Sequence, residues 1–325
     1  MSNSLGSIRG VVKNSQKCIE INSDIADVKG NLTVSGGDLR VGGSGIEHIK
    51  NIYGVTGETT GTVSLSDDGT IFAIAGPQFD GNGMTDNGRV RIFKYNGTTW
   101  TQLGNDIYGE QPGDKIGQGL YGGLSLSGDG FRVAIASAFN TTGGNSSQGQ
   151  VRIFEYNQTD WIQLGDSIYG VTGDVNYEEA MAISLSGDGN VVAIGCAGQV
   201  NSGLNGKVRV FEYTGTAWSQ LGSDILGPSN YGLGERGVDL SNNGTILSAG
   251  AWRHDNFRGC VRIYQYNGGS WSQLGSDIVG PNVGDNFAEN SLSADGTIVA
   301  IGGINHDSNV SNTGIVQVYQ YIGSA

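Results

Sequence analysis

An all-β fold is predicted: a five-bladed β-propeller of four-stranded antiparallel blades, closed by an N-terminal strand and carrying a short Gly-rich arm. Three observations predict it. First, the line SLSGDGNVVAIG at Ser184 returns as SLSDDGTIFAIA from Ser64, SLSGDGFRVAIA from Ser125, DLSNNGTILSAG from Asp239 and SLSADGTIVAIG from Ser291. Self-similarity at a period of roughly 50–60 residues marks a solenoid, propeller or array. Second, each copy carries an Asx-Gly pair between two alternating apolar runs, at Asp68-Gly69, Asp129-Gly130, Asp188-Gly189, Asn243-Gly244 and Asp295-Gly296. That is the strongest short-range hairpin signal, and a type I′ turn is expected at each. Third, the last copy stops at Tyr321–Ala325 before its fourth strand, while an unmatched strand-like segment lies at the front.

Residues 1–44 stand outside the repeat. Ile19/Ile21, Leu32/Val34 and Leu39/Val41 alternate in short pairs cut by Gly-Gly. Short strands with sharp corners follow from this, too small to bury a core alone. An attachment or oligomerisation arm is expected, partnered by the propeller, by further copies of itself or by another protein. Next comes Ile46–Gly54, IEHIKNIYG, which aligns with LGNDIYG at Leu103–Gly109. Residues 45–52 are therefore expected to complete the last blade beside Val316–Tyr321, leaving no long exposed edge. The expected domains are 1–44, the arm, and 45–325, the propeller.

Each repeat parses into four strands. Strand A holds the SLS line and strand B the TIFAIAG-like run. Strand C is VRIFKY from Val90, VRIFEY from Val151, VRVFEY from Val208, VRIYQY from Val261 and VQVYQY from Val316. A second tight turn such as Asn96-Gly97 leads to strand D, which starts at Trp100, Trp161, Trp218 or Trp271 and runs through QLG to Ile107, Ile168, Ile225 or Ile278. These tryptophans are expected to pack against the neighbouring blade, worth about 2–3 kcal/mol each by area.

Composition narrows the function classes. Net charge is −13 with no Lys/Arg run, which disfavours a phosphate backbone as partner, so no nucleic-acid binding is expected. No apolar run approaches the length of a membrane helix, and the N-terminus lacks the apolar core of a leader peptide, so neither membrane insertion nor secretion through such a leader is expected. Cys18, Cys196 and Cys260 have no metal or disulfide spacing. Sequons at Asn96, Asn157 and Asn243 sit in turns that favour Asn in any case.

The unit SLSGDGxxVAIG…GxVRVFEY, preceded in several copies by Gly-Asp (Gly113-Asp114, Gly173-Asp174, Gly284-Asp285), resembles the FG-GAP/integrin-alpha-type propeller repeat. It is similar above all to repeats in surface proteins of large DNA viruses and marine bacteria. Ile116-Gly117, Leu233-Gly234 and Phe287-Ala288 stand in for the family's Phe-Gly. The resemblance implies a calcium loop between strands A and B in some members; here the two-residue turn offers too few oxygens, so no metal and no cofactor are expected. The arm phrase GNLTVSGGDLRVGG resembles the shaft and attachment segments of viral and phage fibre proteins.

Sequence signals for chemistry are sparse. Ser64, Ser125, Ser184, Asp239 and Ser291 would line the channel, with Asp239 the one departure. His48, His254 and His306 lack catalytic or zinc spacing, and the pairs His254-Asp255 and His306-Asp307 are expected to be solvated loop residues. The B–C and D–A loops vary and should emerge on one face, which is where binding surfaces are built on rigid scaffolds. Expected ligand-binding positions there are Trp252, Arg253, His254, Tyr108, Tyr169, Tyr231 and Phe79, since aromatic and guanidinium groups make the strongest anchors. The expected function is non-enzymatic: a virion-surface or fibre-head propeller for attachment or capsid-associated assembly, engaging other virion proteins and a host glycan or protein. The alternatives are a bacterial surface lectin or adhesin, extracellular or on the cell surface, and a glycan hydrolase that would depend on Asp239.

Overall fold

The computed structural model describes residues 9–13, 16–20, 52–55, 58, 61–118, 122–141, 149–170, 179–196, 205–307 and 313–323. They fall into two compact units, Met1–Tyr53 and Gly54–Ala325. In the first, Arg9–Lys13 and Gln16–Glu20 form an antiparallel hairpin with Val11 opposite Cys18. The pairs expected at Leu32/Val34 and Leu39/Val41, and residues 45–51 of the expected closing strand, lie outside the described residues.

The second unit is five antiparallel sheets in chain order, each with strands A, B, C and, in four of them, D. In blade 1 these are Val63–Leu65, Ile71–Gly76, Arg89–Tyr95 and Trp100–Gln102 with Ile107–Tyr108. Blade 2 has Leu124–Leu126, Arg132–Ser137, Gln150–Tyr156 and Trp161–Gln163 with Ile168–Tyr169, and blade 3 has Glu179–Leu185, Val191–Cys196, Lys207–Tyr213 and Trp218–Gln220 with Ile225–Leu226. Blade 4 has Leu233–Leu240, Ile246–Ala251, Cys260–Tyr266 and Trp271–Gln273 with Ile278–Val279. Blade 5 has Phe287–Leu292, Ile298–Gly303 and Ile315–Gln320, three strands among the described residues. Strand D is not continuous, as the sequence suggested. Gly104, Gly165, Gly222 and Gly275 take positive φ between its two halves, so each half pairs separately with strand C.

Strand B is buried on both faces where a blade is flanked on both sides: all six residues of Val191–Cys196 are buried. This explains why its sequence is a continuous apolar run rather than a strict alternation.

The A–B turns are not type I′. Only the glycine takes positive φ (Gly69 at 70°), and the chain closes earlier, Gly69 N–H donating to Ser66 O at 2.9 Å. The aspartate side chain supplies the rest: Asp68 Oδ1 accepts the Ser66 hydroxyl at 2.8 Å and the Thr70 amide at 2.9 Å. An Asx residue offering its own acceptor satisfies the turn without leaving the right-handed region.

Blade joins to blade through one recurring bond. The strand-A hydroxyl accepts the next blade's amide: Leu126 N–H to Ser64 Oγ at 2.9 Å, Leu185 N–H to Ser125 Oγ at 3.0 Å and Leu240 N–H to Ser184 Oγ at 3.0 Å. At the fourth junction Asp239 Oδ2 accepts Leu292 N–H at 2.7 Å. A parallel string runs through the turns, Asp67 N–H to Gly128 O, Gly128 N–H to Gly187 O, Gly187 N–H to Asn242 O and Asn242 N–H to Ala294 O, at 2.7–2.9 Å. Asn242 Nδ2 also donates to Asp67 Oδ2 at 2.9 Å, tying blade 4 back to blade 1.

The fifth junction differs. Among the described residues no such bond joins Ser291 to Leu65, and Val63 and Leu65 are 65% and 61% exposed where Leu124 and Leu126 are 4% and 6%.

Replacing Ser125 by Ala strands the Leu185 amide inside a junction, and chemical denaturation should show a loss of about 1–3 kcal/mol. Ser291→Ala removes only the 3.3 Å hydroxyl bond to Asp239 Oδ2 and strands no backbone amide, so it should cost less than about 0.5 kcal/mol. Equal losses for the two variants would contradict this account of blade joining.

Candidate functional site

The B–C and D–A loops lie together, as shown by bonds between them. Asn87 Nδ2 donates to Gly109 O at 3.1 Å in blade 1, and Asn140 Nδ2 to the buried Asp114 at 3.0 Å in blade 2. Asp114 is the repeated Gly-Asp residue, and its Oδ2 accepts the Glu110 and Gln111 amides at 2.8 and 2.9 Å. The motif therefore fixes loop shape here.

The expected binding residues fall into three places. Phe79 and Tyr108 stack at 6.0 Å in blade 1, with the Arg89 guanidinium 4.0 Å above Phe79. Arg89 is itself held by Glu58 at 2.7 and 2.8 Å and by Asp106 at 3.0 Å, so this group packs a loop. Tyr169 is 36% exposed, and its hydroxyl accepts Gln150 Nε2 at 3.3 Å. The other four, Tyr231, Trp252, Arg253 and His254, come together on blade 4.

There the buried Glu235, from strand A, organises the group. Its Oε2 accepts Trp252 Nε1 at 2.5 Å and pairs with Arg253 Nη2 at 3.2 Å. Arg236 and Arg253 lie 4.4 and 4.7 Å from the Trp252 ring centre. Trp252 is thus partly buried, with its polar edge and its π-surface engaged inside this group. Gly232, at φ +65°, permits the close approach: a Cβ there would sit 2.9 Å from Glu235 and 3.1 Å from Trp252 Nε1.

After Arg253 the chain makes a turn, His254–Phe257, in which Asp255, Asn256 and Phe257 take φ of 45°, 54° and 63°. Three successive left-handed residues without glycine store roughly 1–2 kcal/mol each, and for a bulky side chain the conformation is a true outlier. Phe257 is left 48% exposed, its ring 5.3 Å from Trp252. Its carbonyl accepts Asn286 N–H at 2.8 Å from the following D–A loop, and Asp285 O there accepts Asn305 N–H at 3.2 Å. Val283 and Ile304, on those two linked segments, are 56% and 47% exposed. Phe257, Val283 and Ile304 thus belong to one hydrogen-bonded set of loops. Sequence reasoning missed Val283 and Ile304, whose only signal was an apolar residue inside a variable loop.

His254 and His306 are not simple solvated loop residues, and His48 lies outside the described residues. His254 meets Tyr231 edge-on at 4.7 Å, and its Nδ1 is buried with no hydrogen-bond partner among the described residues. His306 Nδ1 lies 2.9 Å from the buried Asp285 carboxylate. Both are drawn inward because each B–C loop folds onto the D–A loop beside it.

His254, Cys260 and Asp277 place possible ligand atoms within 4.8 Å of one another. The donor set does not suit a cation. Arg262 grips both Asp277 oxygens at 2.8 and 2.9 Å, putting a guanidinium in the cluster. Burial, with the Asp277 charge beside it, pushes the Cys260 thiol up to about 12, far from the thiolate a metal needs.

Asp239, the one acid at the repeated channel position, accepts Ser184 Oγ at 2.9 Å, Leu292 N–H at 2.7 Å and Ser291 Oγ at 3.3 Å. Burial raises its carboxyl above the ordinary range despite these bonds. Tyr121 and Tyr177, which also lie on these loops, are outside the described residues, as are loop segments 142–148, 171–178, 197–204 and 308–312.

No family model and no curated protein matches the chain. Solved structures do, and they are β-propellers. The Pseudomonas aeruginosa periplasmic gluconolactonase PpgL is 15% identical with a TM-score of 0.51, over 78% of this chain and 66% of that one. The β-propeller domain of the Trilobed protease from Pyrococcus furiosus is 9% identical with a TM-score of 0.49, over 83% and 71%. TolB from Acinetobacter baumannii is 12% identical with a TM-score of 0.45, over 81% of this chain and 52% of that one, so the chain spans about half of the TolB length. At such identities the likeness speaks of a propeller fold alone.

Two outcomes follow from this geometry. A carboxyl raised by folding weakens the fold as pH climbs from its unfolded value near 4 through its folded value. Asp239→Ser, which restores the serine found at the other junctions, should therefore gain on the parent in thermal melts between pH 4 and pH 7, and a constant gap would contradict the assignment. Glu235→Gln should cost about 2–3 kcal/mol by removing the buried carboxylate charge that Arg253 Nη2 meets at 3.2 Å, read by denaturation through tryptophan fluorescence.

Proposed function

We propose that this chain is a non-enzymatic binding protein. In this reading a five-bladed propeller, closed by residues 45–52, turns its loop face toward a host-surface glycan or protein. Residues 1–44 fix it to other virion proteins or to further copies of itself, at a virion surface or fibre head.

One observation carries the binding role: the left-handed turn that leaves Phe257 exposed, hydrogen-bonded through its backbone to the loop that also exposes Val283, with its ring 5.3 Å from the Trp252 that Glu235 holds. Strained residues persist only where the surroundings over-determine them, and they gather at ligand sites. Exposed apolar side chains on linked rigid loops are what a partner surface requires. A hydrolase reading is less well supported, because the oxygens of Asp239 are committed to the junctions on either side of its blade. The fibre-like arm and the virus-type repeat support the virion setting. A cell-surface lectin would use the same loop face, and proteomics of purified particles separates the two.

The binding test is an array of glycans and host membrane proteins probed with the whole chain. A ligand should bind saturably and weaken at least tenfold in Phe257→Ala and Ile304→Ala, with Tyr108→Phe unchanged. A ligand indifferent to both substitutions, or turnover of a glycan abolished by Asp239→Asn, would overturn the reading.

A further inference from the structure

We propose that Asn82 is a modification site: its bond to Gly83 deamidates spontaneously and places a new carboxylate on the loop face. The chain has six Asn-Gly pairs, beginning at Asn82, Asn87, Asn96, Asn205, Asn243 and Asn267. Glycine crowds the reacting backbone amide least, because it carries no Cβ. The sequence therefore holds six candidates, and the structure separates them.

The reaction starts when the Gly83 amide nitrogen gives up its proton and attacks Asn82 Cγ. The new N–Cγ bond closes a succinimide ring, the Cγ–Nδ2 bond breaks, and Nδ2 departs as ammonia with that proton. Water then opens the ring. Addition at Cγ gives aspartate, and addition at the main-chain carbonyl carbon gives isoaspartate, whose backbone runs through an extra carbon. In sum an amide and a water become a carboxylate and an ammonium ion, so water is the sole co-reactant.

Ring closure needs a free backbone amide, a free carboxamide and rotation about the bond between the asparagine Cα and carbonyl carbon. At the other five pairs the fold holds at least one of these. Asn96 Oδ1 accepts the Thr98 amide at 3.0 Å and the Thr99 amide at 2.9 Å. Asn243 Oδ1 accepts Ser241 Oγ at 2.7 Å and Thr245 N–H at 3.0 Å, while the Gly244 amide donates to Ser241 O at 2.8 Å. Asn267 Nδ2 donates to Ser272 Oγ at 2.5 Å, and its own amide to Ser270 O at 3.0 Å. Asn87 is buried, with Oδ1 accepting Gly81 N–H at 2.7 Å and Nδ2 donating to Gly109 O at 3.1 Å. Gly206, after Asn205, is wedged against Leu233: a Cβ there would sit 2.3 Å from Leu233 N, whose N–H donates to Asn205 O at 3.2 Å.

Asn82 differs on every count. It and Gly83 are exposed at the tip of a two-residue hairpin, flanked by the Gly81–Met84 bridge. Both take positive φ, 55° and 79°, and Met84 N–H to Gly81 O at 2.9 Å closes the tip. Neither the Asn82 carboxamide nor the Gly83 amide makes a hydrogen bond among the described residues. A Cβ built on Gly83 would meet nothing within 4 Å, so the space for the ring is open. A single bond at an exposed tip belongs to the least stable end of a structure and opens locally.

The product joins two acids. Asp80 Oδ1 accepts the Asp86 amide at 2.8 Å, and the Asp86 carboxylate lies 3.6 Å from Lys115 Nζ on the D–A loop. A carboxylate at position 82 makes three acids in this loop, so the blade 1 part of the loop face grows more negative with time. The change needs no bound ligand and stands apart from the binding role proposed above.

The test keeps the whole chain at mildly alkaline pH in heavy-oxygen water, beside a sample in concentrated urea, and follows each site by peptide mapping with mass spectrometry. Electron-transfer fragmentation separates aspartate from isoaspartate. In the folded protein Asn82 should convert at least about fivefold faster than Asn96, Asn243 and Asn267, which must first break further turn bonds. In urea the rates should draw together. An Asn82 no faster than those three in the folded chain, or a lead that persists unchanged in urea, would overturn the proposal.

Discussion

The fold depends on a hydroxyl or carboxylate oxygen in one blade accepting the strand-A amide of the next. A sheet buried on both faces needs an internal partner for every backbone donor, and the innermost strand has run out of neighbours in its own sheet. Ser64, Ser125 and Ser184 supply that partner, and in doing so they fix the blade-to-blade spacing. The spacing in turn lets Trp161, Trp218 and Trp271 reach the leucine carbonyl one blade back. Asp239 carries the same duty at the fourth junction at the cost of a buried charge. What looked in the sequence like a catalytic departure is a variant of the joining bond.

This bond also explains why the loop face can tolerate strain. Strands fixed at both flanks hold Leu233 and Ala251 opposite each other, and Glu235 gathers Trp252 and Arg253 between them. The left-handed turn that follows is held by three backbone bonds, from Phe257, Arg258 and Gly259 to Arg253, Asp255 and His254. The rigid element lies underneath, and the strained one displays Phe257.

Much of the architecture was legible because its signals are local and recur. Strand alternation, the Asx-Gly positions and the tryptophan phase each appear four or five times, so single irregularities average out. The turn type was not legible: Asp68 caps its own turn with a side-chain oxygen, and a dipeptide cannot reveal that choice. The site was half legible. Tyr231, Trp252, Arg253 and His254 were found as aromatic and charged residues in variable loops, and they do meet. What the sequence did not show is that Glu235, a strand residue with no motif, takes the tryptophan's polar edge. Val283 and Ile304 gave no signal, because the exposure of an apolar loop residue is decided by bonds from segments 20–50 residues away.

The central claim is that each blade is secured by what its neighbour supplies, so blade 5, whose junction with blade 1 lacks the strand-A bond among the described residues and whose Val316 and Val318 are exposed, should be the loosest. Amide hydrogen exchange on the whole chain measures this directly. The account predicts that Ile315–Gln320 and Ile298–Gly303 exchange markedly faster than the matching strands Lys207–Tyr213 and Val191–Cys196 of blade 3. Equal protection across blades 3 and 5 would contradict it.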